Sequence, residues 1–277
     1  EEPLSGVPAG WVSSVHRFNM GSMTRSYLMI RPKSQSPTPL PVVVVLHGRY
    51  LTPAGIERLS DMPATTGPAI EVYPAGYGRS WNAGGCCGVA QRAGIDDVAF
   101  LDRTVSLVLS SQHDAAANAV YLIGYSNGGR MAYRMACAHP GAWAGVAAVE
   151  AVPVDPCDAA VGVPIIVIAS SHDPLLTIDT GRPQKVMAGS IEPTVQTTVE
   201  DWRHLDGCGP EGAESVVGVA TVETWSSCRG AGRVAFALYS GGSHAWPTGV
   251  EGRAGTPSAG DLLWGWLHDR SIVTAAA

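Results

Sequence analysis

No run of apolar residues in this chain approaches the roughly 20 that a membrane-spanning helix needs. The longest, residues 41–46 and 161–169, fall far short, so no transmembrane segment is expected. Positive charge is also scarce: 18 Lys and Arg stand against 24 Asp and Glu, for a net charge of −6. Without a basic patch or stripe, no nucleic-acid partner is expected. Charged residues of both signs make up only 15% of the chain, yet 45% is hydrophobic, the composition of a folded core and not of a disordered polymer. None of the six cysteines forms a CxxC pair, which leaves a zinc site without support. An even set of cysteines without metal spacing points instead to an oxidising compartment. The expectation is a secreted or extracytoplasmic protein. Its polar start, Glu1-Glu2-Pro3, would follow a removed export signal, with or without a lipid anchor.

What is present is a repeated pattern of short apolar runs. Residues 41–46 (PVVVVL), 119–124 (AVYLIG) and 164–169 (PIIVIA) read as fully buried strands. Residues 25–31 form another strand candidate, and 69–73, 145–150 and 234–239 are weaker ones. Helical patterns fall between or after them at 96–111, 128–138, 194–205 and 259–268. Strands alternating with helices predict an α/β fold, a mostly parallel central sheet with helices on both faces. A chain of 277 residues can build a sizeable core alone. No internal repeat is visible, and the Pro-rich stretch 34–41 reads as a turn between strands, so residues 1–277 are expected to form a single domain. Residues 181–193 and 249–258 are polar, Gly-containing loops of the kind that carry substrate contacts.

Gly124-Tyr125-Ser126-Asn127-Gly128 matches G-x-S-x-G. The pattern is short enough to arise by chance in a chain with 33 glycines, and its setting decides the matter. An apolar strand runs into it and a helical segment follows, the context in which a serine is lifted onto a tight turn at the carboxyl end of a sheet. A serine hydroxyl is a weak nucleophile and needs a base within hydrogen-bond reach. In this order of elements the acid and then the histidine follow the serine in the chain. His139, His172, His204, His244 and His268 lie downstream, and His244 stands out in the Gly-rich turn 240–247 after a strand. The others read as surface or capping residues. Asp173, directly after a core strand, is the first choice for the acid, with Glu150 at the end of another strand as the alternative and Asp155 and Asp158 as looser ones. The oxyanion donors would be the backbone N–H of Asn127 and one from the loop after His47-Gly48, Arg49 first and Tyr50 second. His47 itself reads as a brace for that loop.

Several longer blocks carry a resemblance. LHG at 46–48, YPAGYGRSWNAGGCCG at 73–88, GIDDVAFL at 94–101, GYSNGG at 124–129, MAYRMACAHP at 131–140 and GGSHAWP at 241–247 follow one another in order. In these the chain, from about residue 25 to 268, resembles the secreted polyhydroxybutyrate depolymerase and feruloyl or acetylxylan esterase group of α/β hydrolases. This group is carbohydrate esterase family 1-like and includes bacterial lipoprotein esterases. The resemblance implies hydrolysis of a carboxylic ester substrate with neither metal nor organic cofactor. It puts Ser126, Asp173 and His244 on the family's triad, and Trp81, Trp246 and Tyr125 at the substrate cleft. Tryptophans in such loops also serve as core filling, and Trp225, in a strand-like run, is expected in the core. The chain departs from the group at Ala169-Ser170-Ser171-His172, before the acid, and at Arg49-Tyr50-Leu51. Cys137 with Cys157 and Cys208 with Cys228 look like two disulfides, leaving Cys86 and Cys87 to pair with each other or elsewhere. A rival of another class is a hydrolase-shaped protein that captures a glycan or polyester without cutting it; within enzymes, a peptidase is less favoured.

Overall fold

Residues Leu40–Leu46 carry four consecutive valines and have no polar face to turn to water, so they are stable only as a strand covered on both sides. The structure, a computed structural model, describes residues 7–157, 162–179, 181, 186–187, 190–249 and 255–269, and it sets this strand inside a ten-stranded sheet. In chain order the strands are β1 (Trp11–Met20), β2 (Met23–Pro32), β3 (Leu40–Leu46), β4 (Ile70–Pro74), β5 (Ala115–Tyr125), β6 (Gly145–Val149), β7 (Ile165–Ser170), β8 (Ala213–Val217), β9 (Ala220–Trp225) and β10 (Val234–Tyr239). Their order across the sheet is β1-β2-β4-β3-β5-β6-β7-β10-β9-β8. From β4 to β10 neighbouring strands run parallel, and an antiparallel hairpin flanks this block on each side, β1–β2 at one edge and β9–β8 at the other.

The helices are α1 (Pro53–Ser60), α2 (Met62–Thr66), α3 (Gly88–Arg92), α4 (Asp97–Ser111), α5 (Asn127–Ala138), α6 (Val195–Leu205) and α7 (Ala259–Trp264). Side chains alternate across a strand, and β3 shows the result. Val42, Val44 and Leu46 join one core with Phe100 of α4, Met131 of α5 and Trp202 of α6. Val43 and Val45 join a second core with Ile56 of α1, Met62 of α2 and Leu262 of α7. Helices therefore cover both faces, and each buried valine contributes about 1.5–3 kcal/mol by leaving water. Among the described residues no helix is long and apolar enough to cross a membrane.

The structure extends the expected strands and adds others. The strand expected at 25–31 runs over Met23–Pro32 and pairs along its length with β1, which the sequence pattern does not announce. In β1 no residue is fully buried, as befits an edge strand that gives one side to solvent. Both α1 and α2 begin with a proline in the first turn, where a missing N–H costs nothing. The helix expected over 259–268 is α-helical only to Trp264 and then widens into a π turn over Gly265–Asp269. Cys137 is joined to Cys157, Cys208 to Cys228 and Cys86 to Cys87. The first two each bridge a separation of 20 residues, a closure that contributes about 3 kcal/mol in the chain-entropy view.

Candidate active site

The central strand β5 ends at Tyr125, and the chain turns at Ser126 with φ 54° and ψ −118° before α5 starts. That left-handed backbone is strained for a serine, and the surroundings enforce it. The Ser126 N–H is tied to the Val149 carbonyl at 2.8 Å. A Cβ on Gly124 would stand 2.2 Å from the Gly128 carbonyl oxygen, and one on Gly128 would stand 2.3 Å from that of Leu46. Only glycine fits at either place. Gly48 is required for the same reason on the other side: a Cβ there would lie 2.8 Å from the Tyr125 ring and 3.4 Å from the Ser126 Cβ. The loop after β3 thus presses its bare backbone against the serine.

At the same end of the sheet, the loops after β7 and β10 bring Asp173 and His244 to Ser126. The Ser126 hydroxyl donates to His244 Nε2 at 2.7 Å, and His244 Nδ1 donates to Asp173 Oδ2 at 2.7 Å. The second oxygen of Asp173 accepts from the Leu175 N–H at 2.6 Å. Burial pushes the Asp173 carboxyl up, but the bonds from His244, Glu150 and Leu175 outweigh it and hold the group below the usual carboxylate range. Glu150, the alternative acid, lies beside Asp173 and His244, with ligand atoms within 4.8 Å of both. Burial, and then the hydrogen bond to Asp173, raise its carboxyl to about 9. Glu150, Asp173 and His244 offer ligand atoms within 4.8 Å of one another. A cation there would have to break the His244–Asp173 bond, since both imidazole nitrogens are already engaged.

Two backbone N–H groups are expected to serve as oxyanion donors. The N–H of Asn127 is the first of α5 and has no acceptor within its own helix. Of the two candidates after Gly48, Tyr50 is ruled out because its N–H donates to the Arg79 carbonyl at 2.9 Å. Arg49 is left. His47 is buried and pushed down to about 4 by that burial, so it stays neutral. Its Nδ1 bonds the Gly48 carbonyl, and its Nε2 accepts the Gly76 N–H at 3.0 Å, which makes it the expected brace.

A chain of contacts from the blocks 73–88 and 94–101 steadies Asn127. The Asn127 side chain accepts from the Trp81 N–H at 2.7 Å and donates to the Trp81 carbonyl at 3.1 Å. Next to Trp81, the Asn82 N–H donates to Asp97, whose other oxygen takes the buried Arg25 guanidinium at 2.8 Å. Replacing Asp97 with alanine leaves the Arg25 charge buried against only the Ala75 carbonyl and the face of Phe100. Breaking such a pair costs about 3–5 kcal/mol, to be read as a lower urea midpoint. A loss below about 1 kcal/mol would mean that carbonyl and ring alone satisfy the arginine.

Three expected cleft residues take other places. Trp81 is wholly buried; its indole N–H donates to the His47 carbonyl at 2.8 Å and its ring stacks on Phe100. Trp246 is also buried, edge-on to Tyr125. Tyr125 is buried, donates its hydroxyl to the His244 carbonyl at 3.0 Å and packs along the imidazole, so it helps hold the histidine loop. Two large apolar side chains near the site residues in sequence are exposed: Tyr50, directly after Arg49, at 62%, and Leu175, two positions after Asp173, at 50%. Trp225 is buried, as expected for a core residue. His139 pairs with Asp102 at the surface, His268 stacks on Trp264, and His172 and His204 are exposed. Asp155 is exposed and approaches Gly84; Asp158 and parts of the expected loops, residues 182–185, 188–189 and 250–254, lie outside the described residues.

No family model matches the chain. NocK of Nocardia uniformis subsp. tsuyamanensis, a protein assigned as an esterase, is 30% identical over 230 residues, which are 76% of this chain and 66% of NocK. Feruloyl esterase B of Piromyces equi is 27% identical over 182 residues, 63% of this chain and 33% of that protein. The chain therefore spans just under two thirds of the first relative and a third of the second. Among solved structures, the acetyl xylan esterase from Aspergillus awamori superposes with a TM-score of 0.60 over 92% of this chain and 98% of its own at 15% identity, a likeness of fold. The chain thus has the α/β-hydrolase fold and is similar in sequence to esterases, a feruloyl esterase among them.

Proposed function

We propose that the protein is a serine carboxylic-ester hydrolase that works through an acyl-enzyme. The observation that carries this reading is the relay of two 2.7 Å hydrogen bonds from Ser126 to His244 to Asp173. His244 takes the Ser126 proton as Oγ attacks the ester carbonyl, and the N–H groups of Asn127 and Arg49 receive the negative charge on the carbonyl oxygen. His244 then gives its proton to the departing alcohol. Water, deprotonated by the same histidine, cleaves the acyl-serine and restores the site. Asp173 keeps the imidazole in the tautomer whose Nε2 faces Ser126.

The substrate class we propose is a feruloyl or acetyl ester on polysaccharide, or a short-chain polyester. The names of two similar proteins support the first, and the exposed Tyr50 and Leu175 supply apolar surface for an acyl group or ring. The three disulfides support an oxidising, extracytoplasmic location, and the continuous sheet supports one catalytic domain over residues 1–277. Intact mass after fluorophosphonate treatment, followed by assays on feruloyl, acetylxylan, hydroxybutyrate and p-nitrophenyl esters, tests this. One adduct per chain and turnover on at least one ester are expected. A folded protein that takes no adduct and cuts none of them would be a binding protein built on a hydrolase fold.

A further inference from the structure

We propose that Glu150 is a positioning residue, a protonated carboxylic acid that donates a hydrogen bond to the Asp173 carboxylate and holds it against His244. This rests on the triad reading above. Glu150 follows β6 and Asp173 follows β7, and because these strands are parallel neighbours their carboxyl ends deliver both side chains to one place. Glu150 is 1% exposed, and its backbone takes φ 50°, a left-handed conformation that a glutamate adopts only under constraint. Ser170, the last residue of β7, grips both of its oxygens, giving Oγ–H at 2.6 Å to one and N–H at 3.2 Å to the other. A carboxylate oxygen of Glu150 lies within 4.8 Å of one of Asp173, close enough for the two buried groups to act on each other directly.

A hydrogen bond between two carboxyls needs one proton between them, because two adjoining carboxylates repel. The partners decide which group holds it. Asp173 receives the His244 N–H and the Leu175 N–H, both of which favour its charged form. Glu150 also receives two donors, both from Ser170, but it is more deeply buried than Asp173, and that burial together with the neighbouring Asp173 carboxylate outweighs them. The proton therefore stays on Glu150. Asp173 is then held on three sides, by Leu175, His244 and Glu150, and part of its charge is drawn away from the imidazole. Below the point where Glu150 ionises this arrangement is intact; above it, two carboxylates repel and Asp173 loses its fixed place against Nδ1. The titratable groups facing Glu150 are Asp173, His244 and Tyr125, and burial holds Tyr125 protonated to about 12.

The test is a set of pH–rate profiles for the wild type, E150A and E150Q on p-nitrophenyl acetate, with fluorophosphonate labelling alongside. In E150A we expect kcat to fall by up to about 100-fold, the scale of an ångström-sized misplacement, with KM little changed. Its acid limb should move to higher pH, since an undiluted Asp173 charge favours the imidazolium. E150Q keeps both an N–H donor and a carbonyl acceptor, and should recover most of the loss while lacking the wild type's alkaline limb. If E150A fails to fold, the E150Q profile decides alone. An E150Q alkaline limb matching the wild type, or an E150A with wild-type kcat and acid limb, would overturn the proposal. Labelled wild type with unmoved profiles sinks only the role of Glu150; an unlabelled wild type sinks the triad reading as well.

Discussion

Ser126→Ala is expected to lower kcat for ester hydrolysis by on the order of 10⁵–10⁶ and to abolish the fluorophosphonate adduct. The Oγ of Ser126 is hydrogen-bonded to His244 Nε2, so its removal takes away the attacking atom while the backbone turn remains. That turn is held by the Ser126 N–H to Val149 and by the close approach of Gly124 and Gly128, none of which involves the hydroxyl. The far-UV spectrum and the urea midpoint should therefore stay close to wild type. Residual hydrolysis would come from the two backbone donors and the base acting on water. Turnover within tenfold of the wild type would mean that another residue attacks the ester, and the assignment would fail.

The parts of the fold that were legible in sequence are those where burial is complete. A strand segment covered on both faces must be apolar, and so β3, β7 and the buried 120–125 end of β5 stand out as short apolar runs. Edge elements give no such signal. In β1 exposed and half-buried residues mix, and WVSSVHRFNM reads as an ordinary polar segment until β2 is beside it. The site divides in the same way. Ser126, Asp173 and His244 could be picked out because each ends or follows a strand-like run in a fixed chain order, and the structure brings the three together. Side-chain direction was not legible. Trp81 sits in a specific-looking block yet points into the core, because its indole N–H satisfies the His47 carbonyl. Glu150 and Asp173 looked like competitors for one role, 23 positions apart, and only the neighbouring of β6 and β7 makes them partners.

That partnership bears on the second large effect, Asp173→Asn, for which kcat is expected to fall by about 10⁴ with KM little changed. The reason lies in the Leu175 amide. Its N–H needs an acceptor, so the carbonyl oxygen of the introduced side-chain amide takes the place of Oδ1, and the amide NH₂ turns to His244, where Oδ2 now accepts. An NH₂ facing Nδ1 demands a lone pair there, which puts the imidazole proton on Nε2. Nε2 then points a hydrogen at Ser126 and cannot receive one. Because the amide is isosteric with the carboxyl, circular dichroism and the urea midpoint separate this from misfolding. A loss smaller than about tenfold would show that the carboxyl of Glu150 can serve His244 in place of Asp173. In that event the double variant D173N/E150Q, which has no carboxyl at either position, should lose the activity that D173N retains.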